Sequence, residues 1–452
     1  MPQDGGRQRT NSTAEEEGML TKQENEKLTR VEGDAPMGQL VRRFWLPFLV
    51  SPDLPEPDCE PVRVRLLGEN LLAFRDTSGQ VGLIDTLCAH RCADLFYGRN
   101  EEGGIRCIYH GWKYDVTGQC VEAPTEPKDS NFRLTVRVKS YPVIERAGTL
   151  WAYMGPPDLK PDLPDFEFMH VPDGHLYASW SSQDCNFAQA IEGGIDTAHS
   201  IFLHSTLESH RNLERWKESN ALSAGSGSIA QGRFRNRDNP PQLHAVDTDF
   251  GVLVGGRYVS GEAEDYWRLN LFLMPFYTMP PGGAGSKLCH AFVPVDDVTT
   301  ARWSFTYNLE RPHGNRDLMA MRNGSGVHVA LVPGTHAPRR TRANDYLVDR
   351  DEQRTLSFTG IAGIGEQDFA VQEGMGTIVD RGRERLGVTD GGIVQMRRRL
   401  LKAADDLEEG VEPYEASHGR VYHIHAGDSM LPASVANWPE EPKAKAALAA
   451  RW

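Results

Sequence analysis

The sequence predicts an α+β fold in two parts: a small antiparallel β domain, then a larger domain joining an antiparallel sheet to C-terminal helices. Three observations predict it. At 452 residues the chain exceeds the usual size of one domain. Short apolar runs punctuated by Gly, Pro and Asp fill residues 62 to 154, and a second strand-rich section spans 251 to 309. Helical periodicity then returns toward the C-terminal end, and strands followed by segregated helices are the pattern of an α+β domain.

Taken in order, residues 1–18 are rich in Gln, Thr, Ser and Glu and read as a disordered tail, with Met19 as an alternative native start. Residues 19–45 suit a short helix that ends in the aromatic anchor Phe44-Trp45. The first β domain is expected over 46–157. Its strands fall at Val62–Leu66, 71–74 and 81–84, around the turn Asp76-Thr77-Ser78-Gly79, and close at 136–143 and 149–154. Gly155-Pro156-Pro157 ends it, and a Pro-rich linker over 158–164 opens the larger domain, 158–452. There Gly251–Tyr258, 266–276, 287–295 and 301–309 read as strands. The polar, Gly-rich stretch 311–350 shows weak periodicity, and a structureless stretch of that length reads as a functional loop or lid. Helices are expected over 367–386 and 392–407.

Composition excludes several classes of function. The apolar share, 39%, and the charged share, 25%, are those of a globular protein. A net charge of −14 gives no basic surface for nucleic-acid phosphates. Arg339-Arg340 and Arg397-Arg398-Arg399 read as solvated faces or ion-pair partners instead. The 7 cysteines show no disulfide spacing, so a reducing cytoplasm is the expected location. No secretory signal or apolar run of spanning length is present, and no membrane role is expected.

Two short pairs carry the chemistry: Cys88-Ala89-His90 and Cys107-Ile108-Tyr109-His110. Sixteen residues, 91 to 106, separate them. Two Cys and two His can hold zinc, or a Rieske [2Fe–2S] cluster in which two His replace two Cys on one iron. The turn-forming and aromatic surroundings, His90-Arg91 and Tyr109-His110-Gly111-Trp112-Lys113-Tyr114, favour two loops clamping a partly exposed cluster. Cys92 reads as a free thiol packed beside it rather than a ligand.

A second pair, His199 and His204, offers imidazoles for a mononuclear metal. On a regular helix a spacing of five sets side chains about 140° apart, so a widened turn or a helix end between them is needed. Asp196, three residues before His199, shares its helix face and can accept a hydrogen bond from the ring nitrogen turned away from the metal. Two imidazoles and a carboxylate make the facial triad of non-haem Fe(II) oxygenases. The carboxylate is expected from Asp368, with Glu366 and Glu373 as competitors. A pure electron carrier would need no His199–His204 pair, and a zinc hydrolase would be colourless.

At this point the chain resembles the large oxygenase component of Rieske non-haem iron aromatic-ring hydroxylases, in the phthalate 4,5-dioxygenase branch with its chlorobenzoate dioxygenase-like relatives. The likeness runs from about residue 19 to 390 and is strongest in Pro36-Met37-Gly38 through Trp45, Leu54-Pro55-Glu56-Pro57-Asp58-Cys59, 98–104, 109–115 and 190–204. It implies a helix-grip-like catalytic domain. It implies Cys88 and Cys107 on one cluster iron, with His90 and His110 on the other. Asp-x4-Glu followed by Met-Gly-x3-Asp-Arg matches the family's third-ligand helix, which implies mononuclear Fe(II) on His199, His204 and Asp368.

The resemblance further implies that Asp196 bridges His199 to a Rieske histidine, His110, of a neighbouring subunit in a homotrimer or hexamer. Electrons would come from NADH through a separate flavin/iron–sulfur reductase. With O2 as co-substrate, an aromatic carboxylate (phthalate- or benzoate-like) would be dihydroxylated; monooxygenase variants hydroxylate or demethylate instead. Relatives hold the carboxylate with arginines, for which Arg235, Arg237 and Arg268 are the candidates and Arg268 the best placed. Two departures stand out. Cys92-Ala93-Asp94-Leu95 puts an acid near the cluster, where it is expected to lower the potential. Arg237-Asp238-Asn239-Pro240-Pro241 lacks the basic pattern expected for phthalate itself.

Overall fold

The computed structural model describes residues 20–207, 238–282 and 285–451. The tail expected over 1–18, and Arg235 and Arg237, lie outside the described residues. The single helix expected over 19–45 is two. α1 (Lys22–Thr29) opens on a capping box between Thr21 and Glu24. Gly33, at φ +61°, then turns the chain, and Pro36 starts α2 (Pro36–Val41) where its missing N–H is unneeded. Trp45 opens β1 (Trp45–Val50) instead of ending a helix.

β2 (Val62–Leu66), β3 (Glu69–Arg75) and β4 (Val81–Asp85) pair antiparallel in sequence, and β5 (Arg99–Glu101), β6 (Gly104–Arg106), β7 (Lys113–Tyr114) and β8 (Cys120–Glu122) form a second sheet. Pro142 splits the closing strand expected over 136–143 into β9 (Ser140–Tyr141), on β4, and β10 (Val143–Arg146). β11 (Thr149–Tyr153) then lies between β1 and β10. Leu72, Phe74, Ile84, Leu95, Ile105, Trp112 and Tyr114 make a small core of their own, whereas Trp45, Leu150 and Trp151 belong to the core of the larger part.

That larger part begins with β12 (Leu176–Gln183) and α3 (Phe187–Ile195). β13 (Gln242–Asp247), β14 (Gly251–Tyr258), β15 (Glu264–Leu273), β16 (Tyr277–Met279), β17 (Ser286–Pro294) and β18 (Thr300–Asn308) follow. The helices are α4 (Asn315–Arg322), α5 (Arg350–Thr355), α6 (Ile364–Gly374), α7 (Gly391–Glu408) and α8 (Tyr414–Ser417). β19 (Gly427–Pro432) and α9 (Pro442–Leu448) end the described chain. The sheet runs β12-β18-β17-β16-β15-β14-β13, with β19 also paired to β15. The four expected strands are present. β12, β13, β16 and β19 were not foreseen, being short or too rich in Ser, Gln and Asp to stand out. Residues 311–350 are not a structureless lid: they hold α4 and a 3-10 turn over Arg342–Leu347. α6 stops at Gly374 rather than 386, because Gly376 at φ +95° turns the chain.

Directly paired residues of antiparallel strands share a face. The pairs Phe272–Thr278, Thr278–His290, His290–Ser304 and Ser179–Ser304 therefore lie in one row, beside Phe292–Arg302. α3 packs on that face through glycine. A Cβ at Gly194 would sit 2.7 Å from Thr278 Oγ1, and one at Gly193 1.9 Å from Gln372 Nε2 on α6. The pair lets α3 wedge between sheet and helix.

His328, fully buried, reaches this row: Nδ1 lies 2.7 Å from Ser179 Oγ and Nε2 2.8 Å from Thr306 Oγ1. Burial, with Arg302 nearby, pushes its pKa down from 6.5 to about 3. The folded imidazole stays neutral while the unfolded one takes a proton near 6.5. Its contribution to stability is thus full above about pH 6.5 and is lost as pH falls toward about 3, at about 1.4 kcal/mol per pH unit. Urea midpoints between about pH 7 and about pH 5 should fall more steeply in the native chain than in His328→Gln; equal slopes would contradict this.

Candidate metal centres

The two Cys–His pairs sit in matching turns. Cys88 N–H donates to Ala93 O and Cys92 N–H to Cys88 O, at 2.9 and 2.8 Å; Cys107 N–H donates to Trp112 O and Gly111 N–H to Cys107 O, at 2.8 and 2.9 Å. The fourth residue after each cysteine adopts positive φ, +56° at Cys92 and +76° at Gly111. Cys92 is therefore a turn residue, and it is exposed rather than packed beside the cluster site.

These turns bring the ligand types together. The His90 and His110 rings lie 4.5 Å apart, and His90 stacks on Trp112 at 4.4 Å with 9° between planes. His90 Nδ1 is buried with no hydrogen-bond partner among the described residues, an expensive state that an iron would relieve. Cys88 and Cys107 are both buried. Burial, then the adjacent Cys88 sulfur, pushes the Cys107 thiol up, and only a cation between the sulfurs would stabilise both as thiolates. The donor set fits a [2Fe–2S] cluster.

Tyr114 hydroxyl lies 3.2 Å from Cys88 Sγ, and burial raises its pKa, so it stays a neutral donor. A donor to a ligating sulfur favours the reduced, more negative cluster. Tyr114→Phe is expected to lower the potential. A difference of about 1 kcal/mol between redox states is about 45 mV for one electron. Potentiometric titration of both proteins checks it, and an unchanged midpoint would contradict it. Asp94 is tied into the turn beside the cluster site. It caps the turn Leu95–Tyr97, accepting from Phe96 N–H at 3.0 Å and Thr86 hydroxyl at 2.6 Å, and pairs with Arg63 at 2.9 Å.

The second centre is built where α3 ends. The helix stops at Ile195, before either histidine, with Asp196 as its C-cap, and His199 starts a 3-10 turn over His199–Ile201. The spacing problem of a continuous helix vanishes, and Asp196 meets His199 across a turn rather than along a helix face. Asp196 accepts from Ala198 N–H at 2.7 Å and His199 N–H at 3.2 Å, and lies 3.3 Å from His199 Nδ1. Burial pushes this carboxyl up, but His199 and the two N–H groups hold it below the usual range.

His204 is held by Gln367, which sequence reasoning missed. Gln367 amide donates to Ile361 O at 2.8 Å, so its oxygen faces His204 Nδ1, at 2.7 Å, and must accept the ring proton. With Nδ1–H of both rings so engaged, the two Nε2 lone pairs face each other at 3.1 Å. Asp368 Oδ1 lies 3.2 Å from His204 Nε2 and 3.7 Å from His199 Nε2. Lone pairs converging this closely repel unless a cation lies between them, and donors about 3.3 Å apart are what bonds of about 2.0–2.2 Å produce. The competitors point elsewhere, and neither joins the His199, His204 and Asp368 group. Glu366 accepts from Ala330 N–H at 3.0 Å, and Glu373 from Asp184 N–H at 3.1 Å and from the Tyr346 hydroxyl.

Arg302, also missed, is buried on β18. It donates to Val327 O at 2.7 Å and lies 3.9 Å from Asp368 Oδ2. Burial pushes the Asp368 carboxyl up, but the two histidines and Arg302 hold it below its usual range. Arg268 is buried on β15, in line with Asn270 and Phe272 on the face toward α3, and donates to Pro281 O at 3.4 Å.

Residues 44–142 match the family model of the Rieske [2Fe-2S] domain, and residues 152–440 match the LigXa C-terminal domain like family. The chain is 37% identical to the phthalate 4,5-dioxygenase oxygenase subunit of Pseudomonas putida, over 87% of this chain and 88% of that protein. It is also 37% identical to the 3-chlorobenzoate-3,4-dioxygenase oxygenase subunit of Comamonas testosteroni, over 92% and 96%. Identity is 30% to the 5,5'-dehydrodivanillate O-demethylase oxygenase subunit of Sphingobium sp. SYK-6, over 87% and 83%. In fold it is similar to a Pseudomonas putida CBB5 NdmA mutant solved with theobromine, at TM-score 0.56 and 18% identity, covering 84% of this chain and 96% of that one.

Proposed function

We propose, since this chain belongs to the Rieske non-haem iron oxygenase family, that it is the oxygenase component of a system that dihydroxylates an aromatic carboxylate. Its cofactors are a Rieske [2Fe–2S] cluster and a mononuclear iron. In this reading Cys88, Cys107, His90 and His110 hold the first, and His199, His204 and Asp368 the second. When bound, the cluster supplies single electrons and the iron activates dioxygen. The observation that carries the proposal is the convergence of His199, His204 and Asp368 in a chain that also builds the Cys–His turns.

The chain's own residues prepare the site. Asp196 and Gln367 keep each Nδ1 protonated, leaving each Nε2 free as a donor. The substrate carboxylate pairs with Arg302 or Arg268, since a buried guanidinium clamps a carboxylate by two parallel hydrogen bonds. Asn270 Oδ1, buried without a partner among the described residues, lies on the same sheet face and would meet a polar substituent of the ring. Asp196 would also carry electrons in from His110 of a neighbouring copy. Ile108 and Tyr109, exposed beside His110, support a docking surface there, so a homotrimer or hexamer is part of the proposal. So are a flavin/iron–sulfur reductase drawing on NADH and a cytoplasmic location. No helix among the described residues is long and apolar enough to cross a membrane.

A second reading, O-demethylation or monohydroxylation of an aromatic compound, draws on the likeness to the dehydrodivanillate O-demethylase subunit. Turnover of a panel of benzoates, phthalates and methoxybenzoates, with NADH and a phthalate-type reductase, separates the two. A cis-dihydrodiol supports the first, formaldehyde and a phenol the second, and NADH oxidation with no oxygenated product would overturn both.

A further inference from the structure

A second group of two imidazoles and one carboxylate lies where the linker between the two parts meets the C-terminal segment. Asp165, His170 and His423 bring one ligand atom each to within 4.8 Å of one another. His170 Nε2 contacts Asp165 Oδ1, and His423 Nδ1 lies 3.4 Å from Asp165 Oδ2 and 3.3 Å from the Asp165 carbonyl oxygen. The two ring centroids are 5.8 Å apart, against 5.0 Å for His199 and His204.

For His423 these distances are long for a hydrogen bond, whose range is about 2.7–3.2 Å for N–H···O, and its single Nδ1 proton cannot serve both oxygens well. The His423 Nδ1–Asp165 Oδ2 separation suits two donors on one ion, because bonds of about 2.0–2.2 Å in a tetrahedron put donors about 3.3–3.6 Å apart, and His170 Nε2, in direct contact with Asp165 Oδ1, would exchange that contact for the ion. The donors are firmly mounted. Asp165 N–H donates to Gly419 O at 3.0 Å, the Phe166 and Tyr422 rings pack at 5.2 Å, and His425 Nδ1 lies 2.7 Å from Glu167 Oε2. Asp165 and His423 thus sit within two residues of a contact that joins the same two segments, and His170 three residues from one. His170 is exposed enough for water to complete the coordination.

We propose that Asp165, His170 and His423 bind a divalent transition ion of the zinc class, tying the linker to the C-terminal segment, independently of the two iron centres. Two nitrogens and a carboxylate oxygen exclude the all-oxygen preference of calcium and magnesium. Among the described residues the two rings lack outer partners like Asp196 and Gln367. Such partners are worth roughly 10- to 100-fold in affinity, so this site is weaker than the catalytic one by about that factor.

The test uses iron-loaded holoenzyme dialysed against Zn2+, with iron and zinc counted by elemental analysis. The expected result is one zinc per chain with iron unchanged, and a higher unfolding temperature in Zn2+. Both are lost in His423→Gln and in the half-exposed His170→Gln, while the iron content and turnover of these variants stay native. The proposal is overturned if no zinc binds, if zinc binds equally to the variants, or if zinc enters only as iron leaves.

Discussion

Replacing Asp368 with alanine is expected to empty the mononuclear site while the [2Fe–2S] cluster stays intact. Only one carboxylate oxygen approaches both Nε2 atoms, at 3.2 and 3.7 Å, and nothing else among the described residues offers a third donor there. Elemental analysis should fall from about three irons per chain to about two, with the cluster's paramagnetic resonance unchanged. Turnover should fall at least about 1000-fold, which is about 4 kcal/mol. Glu366→Gln and Glu373→Gln form the control, since both carboxylates already accept hydrogen bonds from backbone N–H groups elsewhere. If the control variants lost the iron and Asp368→Ala kept it, the ligand assignment would be wrong. Asp368→Ala also removes the carboxylate that faces the buried Arg302, so the variant should be less stable even when compared with the iron-free native chain.

Glu192→Ala should be the most destabilising single change. Glu192 lies on α3, one turn before the metal-site turn. Its Oε1 accepts from Arg381 Nε at 2.9 Å and from Arg397 Nε at 2.8 Å, and both arginines are buried. Burial pushes the Glu192 carboxyl up, but the two guanidiniums outweigh it and keep the group ionised. Arg397 keeps Glu384 as a partner and Arg381 keeps Asn25, yet neither replaces the lost charge between them. Stranding a buried charge costs about 3–5 kcal/mol. At roughly 1–2 °C per kcal/mol for a chain of this length, that is a fall of roughly 5 °C in unfolding temperature. Iron affinity should fall with it, because the network anchors the helix that presents Asp196, His199 and His204. A loss below about 1 kcal/mol would show that the network is relaxed by water and contradict the argument.

The parts of this protein that could be read from the chain are those whose chemistry is local. Cys88-Ala89-His90 and Cys107-Ile108-Tyr109-His110 carry their ligand types within a few residues, and a turn needs nothing distant to bring a thiol and an imidazole together. Gly251–Tyr258 is apolar but for Arg257, which is enough to mark a buried strand. His199 and His204 were visible for the same reason. Pro142 was visible too, but its power to split a strand depends on which backbone groups its neighbours need.

The choice among Glu366, Asp368 and Glu373 lay beyond any spacing rule. All three stand on one helix, and they differ in where the fold points them: Asp368 toward His199 and His204, Glu366 toward Ala330, and Glu373 toward Asp184 and Tyr346, all brought in from elsewhere. Gln367 and Arg302 were silent for the same cause: the first meets a histidine 163 positions away, and the second is one arginine in a strand. Residue type and short spacing settle which groups can donate. The folded arrangement settles which of them converge, because an ion needs its donors within a few ångströms of one point and residues far apart in sequence must be brought there.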